Sequence, residues 1–228
     1  MNKFLTTILI ALISVNFIQA QDLAKSRLNA EFMLSAGAQQ YGAHAWLANT
    51  HFLGKKRKIG IGYGIRWSSY FGTDQKFTSA PPEFVGNKDK EATLEVANAQ
   101  INSLNLAIFL QYNITSKLEV GFNIDALGFS FGGEEQTNFV SANGDSRQAE
   151  LAKPTSTNIL LIGANDRGSL YSEFFARYWL TQQLGVKLGF TYYFLEYQTN
   201  SPVVANDNND RFRNSATMAS LGITWKLR

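Results

Sequence analysis

Residues 101–125 read INSLNLAIFLQYNITSKLEVGFNID, and their apolar side chains fall on every second position. Leu104, Leu106, Ile108, Leu110, Tyr112 and Ile114 alternate with Ser103, Asn105, Gln111 and Asn113. After Thr115-Ser116-Lys117 the alternation restarts, with Leu118, Val120, Phe122 and Ile124 set against Glu119, Gly121, Asn123 and Asp125. Successive side chains on a strand point to opposite faces. The stretch therefore predicts two long antiparallel neighbours joined by a tight turn, each apolar on one face and polar on the other. That is how a hairpin of a membrane-spanning barrel reads.

The same pattern continues in both directions. Toward the N-terminus, Leu28, Ala30, Phe32, Leu34 and Ala36 share one face of a first strand, opposite Asn29, Glu31 and Ser35. A less regular second strand sets Trp46, Ala48, Thr50 and Phe52 against Asn49 and His51. In a third, Ile59, Ile61, Tyr63, Ile65 and Trp67 alternate with Gly60, Gly62, Gly64, Arg66 and Ser68. Toward the C-terminus the apolar phase slips between Ile124 and Leu127, which predicts a β-bulge. A sixth strand carries Leu170, Phe174, Ala176, Tyr178 and Leu180 outward, and a seventh carries Leu184, Val186, Leu188, Phe190, Tyr192 and Phe194. Leu221, Ile223, Trp225 and Leu227 mark the last. The connections at 54–58, 115–117 and 181–183 are short, whereas those at 73–100, 132–167 and 198–212 read as long loops. Such an alternation matches periplasmic turns and extracellular loops, the exception being the first connection, 39–42, an outer turn that is also short. The apolar run 158–162 is assigned to a loop hairpin above the membrane, since counting it as a span gives nine strands and breaks the parity. The expected fold is an all-β, eight-stranded antiparallel up-and-down transmembrane barrel; ten strands is the open alternative.

Residues 1–20 carry Lys3, a mostly apolar run from Phe4 to Ile13 and a small residue at Ala20, the features of a cleaved signal peptide. Residues 21–27 then form a short N-terminal segment, and 28–228 the barrel domain. The chain has no cysteine, and so neither a disulfide framework nor a lipid attachment site. A formal net charge of +3 and the lack of a basic patch interleaved with aromatics argue against nucleic acid. A mean hydropathy of −0.16 is compatible with a barrel, because only one face of each strand meets lipid. A soluble barrel of the lipocalin kind has the opposite sense, apolar within and polar outside. Strand length and the asymmetry of the connections favour the membrane.

With these features the chain resembles the small outer-membrane β-barrel proteins of Gram-negative bacteria, the broad OmpA/OmpX-like group. The resemblance spans about 28–228 and rests on the signal peptide, the hairpin pattern and the terminal residues 221–228. It implies an outer-membrane location. It also implies a terminal aromatic read by the assembly machinery, for which Trp225 is the nearest counterpart to Arg228.

Facing the polar sides inward places Glu31, Glu119, Asp125 and Glu173 in the lumen with Arg66, Arg177, Lys187 and Lys226. An eight-stranded interior is just wide enough for side chains to fill it, so these charges are expected to pair. Inward Phe109, Phe175, Trp179 and Tyr193 add bulk, and the lumen glycines make room for it. The functional expectation is a structural or surface-interaction protein acting through its extracellular loops, with a small solute channel as the alternative. A lipid-modifying enzyme is a third reading, but His44 and His51 fall on opposite faces and no G-x-S-x-G motif occurs. No catalytic, cofactor or metal residue is assigned. The run 206–210 offers oxygen ligands but lacks the pattern of a calcium loop, and reads as solvated. Outer-membrane lipid is the expected partner, together with an extracellular ligand or protein at 73–100, 132–167 or 198–212.

Overall fold

The computed structural model describes residues 25–161, 165–203 and 207–228; the expected signal peptide lies outside them. The strands are β1 (Ser26–Gly37), β2 (Gln40–Leu53), β3 (Ile59–Ser79), β4 (Thr93–Asn113), β5 (Leu118–Phe131), β6 (Glu135–Val140), β7 (Arg147–Pro154), β8 (Thr157–Ile159), β9 (Leu170–Trp179), β10 (Leu184–Val203) and β11 (Asn209–Lys226). Eight of them, β1 to β5 and β9 to β11, close an antiparallel ring, with β11 pairing back onto β1 from Asn29↔Lys226 to Ala36↔Ala219. The residues expected to face outward do so: Ile61, Tyr63, Ile65, Leu106, Ile108, Leu188, Ile223 and Trp225 are exposed. Opposite them, Asn105, Gln111, Asn123, Asp125 and Thr191 are buried in the lumen. The phase slip is the expected bulge. Leu106 pairs with Leu127 but Ala107 with Asp125, leaving Ala126 as the extra residue.

The regions 73–100, 132–167 and 198–212 are not loops for most of their length. β3 and β4 rise together as far as Thr78↔Thr93, β6 resumes the line of β5 along β4, and β7 pairs with both β6 and β10. Above the short β1–β2 hairpin, β11 meets β3 directly through Phe212↔Ser79 and Arg213↔Thr78. Thus β3, β4, β6, β7, β10 and β11 form a second closed ring of six strands, a head stacked on the eight-stranded barrel. Its faces are reversed. Phe77, Leu94, Phe139, Leu195 and Phe212 point inward and are wholly buried, while Lys76, Asn98 and Arg147 point out. The inward parity changes on β3 between Gly72 and Gln75 and on β4 between Ala99 and Val96, at the step where Asp74 adopts a φ of 52°. The sequence reading stopped these strands too early because it looked for outward apolar residues only.

Two further expectations are corrected. On β2, Trp46, Ala48 and Thr50 face the lumen and Leu47 faces out. Gly62 and Gly64 of the adjacent β3 leave the space, since a Cβ on either would enter the Phe109 ring or the Trp46 indole. The two aromatic rings meet edge-on at 5.2 Å. The run 158–162, expected in a hairpin above the membrane, does open a hairpin, closed by the Ile159–Arg167 bridge. That hairpin lies against the wall, however, since β8 pairs with Leu127–Phe129 of β5; Ile162 lies outside the described residues. β7, β8 and β9 together make one span. Its excursion leaves the wall where Thr155 N donates to Glu196 O (2.9 Å) and returns where Glu196 N donates to Ser169 Oγ (3.3 Å). The even count of spans therefore survives.

Candidate functional site: the lumen and its seal

The lumen holds its charges in tiers, each supplied by the inward positions of several strands. Nearest the short turns, Glu119 of β5 accepts from Arg27 Nη1 (2.5 Å), Arg177 Nη1 (2.8 Å) and Trp179 Nε1 (2.8 Å). One step further in, Glu31 of β1 is paired with Arg177 and with Lys187 Nζ (2.8 Å). Lys187 also reaches Glu173 Oε2 at 2.7 Å, and Glu173 accepts from Asn123 Nδ2 (2.9 Å) and Ser220 Oγ (2.8 Å). In the tier below the head, Arg66 donates to Asp125 Oδ1 (3.0 Å) and Asn123 Oδ1 (2.6 Å), with its guanidinium 4.3 Å from the Trp46 ring and 4.5 Å from Tyr171. Asp125 takes further bonds from Asn105 Nδ2 (2.7 Å) and Tyr171 N (3.1 Å). Isolated charges at such depth would cost several kcal/mol each, and paired charges with their remaining lone pairs satisfied persist.

The structure thus joins seven of the eight residues singled out, Glu31, Arg66, Glu119, Asp125, Glu173, Arg177 and Lys187, with Asn123 linking the Arg66–Asp125 pair to the rest. Lys226 stands apart. It is half-buried at the short-turn mouth, its Nζ 5.2 Å from the Trp179 ring. Its place is taken by Arg27, which the sequence reading missed by starting the first strand at Leu28. Arg27 has the same inward parity as Asn29 and Glu31, which was the available signal. With Arg27 counted, four carboxylates face four cations.

Above the charged tiers the lumen turns aromatic and then apolar. His44, Tyr171 and Tyr193 pack together, with ring centroids at 4.3 Å (His44–Tyr171) and 5.5 Å (Tyr171–Tyr193). His44 Nε2 lies 3.0 Å from Ser35 Oγ across the β1–β2 pair. Both residues are sealed inside, and among the described residues no carboxylate hydrogen-bonds the imidazole. His51 lies on the outer face, as the odd spacing required. The head core then fills the ring, with Phe77 and Tyr197 edge-on at 5.0 Å. On the other face of β10, Glu196 is clamped by Arg211 and Arg213, each with a nitrogen 2.9 Å from Oε2. At the apex Lys90 Nζ donates to Asp207 Oδ2 (2.8 Å), tying the β3–β4 connection to the β10–β11 connection. The Asp207 carboxylate holds the Lys90 ammonium above its ordinary pKa. Asp210 accepts instead from Gln198 Nε2 (2.6 Å). Among the described residues, no group of three or more histidine and carboxylate side chains converges for a metal ion.

An eight-stranded antiparallel barrel, apolar outside and filled with paired charges, has the architecture of a small transmembrane β-barrel. The chain is similar in structure to Neisserial surface protein A (10% identity, 89% of this chain and 96% of that one, TM-score 0.39). It is also similar to a major outer membrane protein from Thermus thermophilus (10% identity, 90% and 100%, TM-score 0.40). A third likeness is to Ail, the attachment invasion locus protein of Yersinia pestis (8% identity, 89% and 97%, TM-score 0.36). No protein-family model matches the sequence, and no curated protein matches it.

Proposed function

We propose that this protein is an integral outer-membrane barrel that conducts no solute and acts through the surface of its six-stranded head. The reading rests on one observation: the axis is closed twice, by ion-paired tiers and then by an apolar core. A conducting path must stay wet, whereas the charged side chains of the tiers and the apolar side chains of the head core are buried. Residues 1–20 direct export, the short turns face the periplasm and the head stands outside the cell. Exposed connections on a rigid scaffold are where binding usually resides, which gives the apical segments 80–92 and 141–146 the contact with an external protein or ligand. The purified barrel in planar bilayers is expected to show no steady single-channel steps. Steps altered by Glu119→Gln or Arg177→Gln would make it a small pore and overturn the reading. On intact cells an impermeant thiol reagent is expected to label Gly144→Cys and not Ser116→Cys; the reverse would invert the topology.

A further inference from the structure

Among the described residues, the exposed charged side chains at the end of the barrel that carries the short turns are all cationic. Lys25, Lys55, Lys56, Lys58 and Arg228 are exposed there, and Arg57, Lys117 and Lys226 are half-buried. Among the described residues, the acidic side chain nearest this rim is Glu119, which is buried and turned inward onto Arg27 and Arg177. Every other described acidic side chain is either in the lumen with it or on the head side, where exposed cations and carboxylates are mixed and some pair, Lys76 and Arg147 with Glu95 and Lys90 with Asp207. A turn kept soluble by charge needs no such segregation, and the head achieves solubility with mixed signs.

The rim also stands at a particular height. Exposed Leu53 and Ile59 at the ends of β2 and β3, and Ile114, Leu180 and Leu227 one residue beyond β4, β9 and β11, adjoin the cations. Lys58 immediately precedes Ile59, and its Nζ lies 5.8 Å from the ring of outward-facing Tyr112. A long cationic side chain anchored on an interfacial aromatic, one residue beyond the apolar band, sits at the level of lipid headgroups. From this segregation and this height we infer that the rim is a binding surface for anionic phospholipid headgroups of the leaflet it faces. The inference rests on the membrane-spanning reading above.

Two outward tryptophans separate the possibilities. Trp225 is exposed in the band next to the rim, and Trp67 is exposed toward the head. Barrels carrying Trp67→Phe or Trp225→Phe are reconstituted into phosphatidylcholine vesicles containing phosphatidylglycerol, with bromine on the acyl chains of one lipid or the other. In the Trp67→Phe barrel, brominated phosphatidylglycerol is expected to quench in preference to brominated phosphatidylcholine. The relative association constant should be about fivefold, the factor that one cation confers near an anionic surface. High salt and the combined change Lys55→Gln, Lys56→Gln, Arg57→Gln and Lys58→Gln should each abolish the preference. In the Trp225→Phe barrel the two lipids should quench alike. Equal quenching of Trp225 by both lipids at low salt would overturn the inference while leaving the barrel in the membrane. If neither lipid quenched either tryptophan, the membrane-spanning reading itself would fail.

Discussion

Lys187 is the side chain whose removal tests the lumen most directly. Its ammonium lies 2.8 Å from Glu31 Oε2 and 2.7 Å from Glu173 Oε2, and no part of it reaches solvent. In Lys187→Met the two carboxylates part company. Glu31 keeps its Arg177 partner, whereas Glu173 keeps only the neutral donors Asn123 and Ser220. Breaking a buried ion pair from one side costs about 3–5 kcal/mol, because a charge is left without its counter-charge. Against a total of about 5–15 kcal/mol for a folded domain, that loss is large. Urea unfolding of the barrel in lipid vesicles, followed by tryptophan fluorescence, reads it as a shift of the midpoint at constant slope. Adding Glu173→Gln to Lys187→Met removes the stranded carboxylate and is expected to restore more than half of the loss. A loss under about 1 kcal/mol in the single variant is the size expected of a solvated pair. It would refute the reasoning, since the tiers would then be hydrated and the axis open to water.

On the outer face, Leu188→Lys places a charge among lipid-facing side chains and should cost about 2–4 kcal/mol near the bilayer midplane in the same unfolding assay. Asn105→Ala should cost about 1–3 kcal/mol, because it withdraws a donor from Asp125 and an acceptor from Asn158 in a buried site. In the head, Leu94→Ala should cost about 2–5 kcal/mol locally. It should make the head susceptible to protease while the eight-stranded barrel stays folded on gels run without boiling. Excision of residues 142–145 is expected to be tolerated. Excision of 136–150 removes β6 beyond its first residue and half of β7, leaving β4 and β10 with open edges, and should disrupt the head.

The barrel was legible wherever lipid forces one face to be apolar. On β3, β4, β10 and β11 the outward positions follow from the alternation alone, and the bulge at Ala126 follows from its slip. The lumen was legible in composition, since the alternate positions carry the charges, but partners were not. Nothing local in Glu31 and Arg177 says that they meet across the ring, because such contacts are set by closure and stagger rather than by neighbours in the chain. Trp46 was misread for a related reason. Its inward placement depends on Gly62 and Gly64 of the next strand, and on the Arg66 guanidinium that stacks on it. In the sequence Asn105 is one polar alternate position among several, and only the fold shows it holding Asp125.

The head was hidden by the reversal of faces, and that reversal has a physical origin. Within the membrane the solvent is hydrocarbon, so apolar side chains gain nothing by turning inward, and the polar remainder fills the lumen. Above the membrane the solvent is water, and the same strands gain by the opposite arrangement, each buried Leu or Phe contributing about 1.5–3 kcal/mol. β3 and β4 serve both solvents by shifting their inward parity, which Asp74 permits with its positive φ opposite the irregular step in β4. By contrast, β10 and β11 keep their parity and change the residues they turn inward, from Lys187 and Thr191 to Leu195 and from Thr224 and Ser220 to Phe212. Six strands rather than eight continue because β1 and β2 end at a tight turn, and β3 and β11 close over it. The narrower ring needs no charges to fill it. It is packed with Phe77, Leu94, Phe139 and Phe212, an apolar core stacked over the charged lumen. A chain selected for passage of solutes would have little use for this second closure. A chain selected to hold a surface at a fixed height above a membrane would need it, and it is on that surface that a partner should be sought.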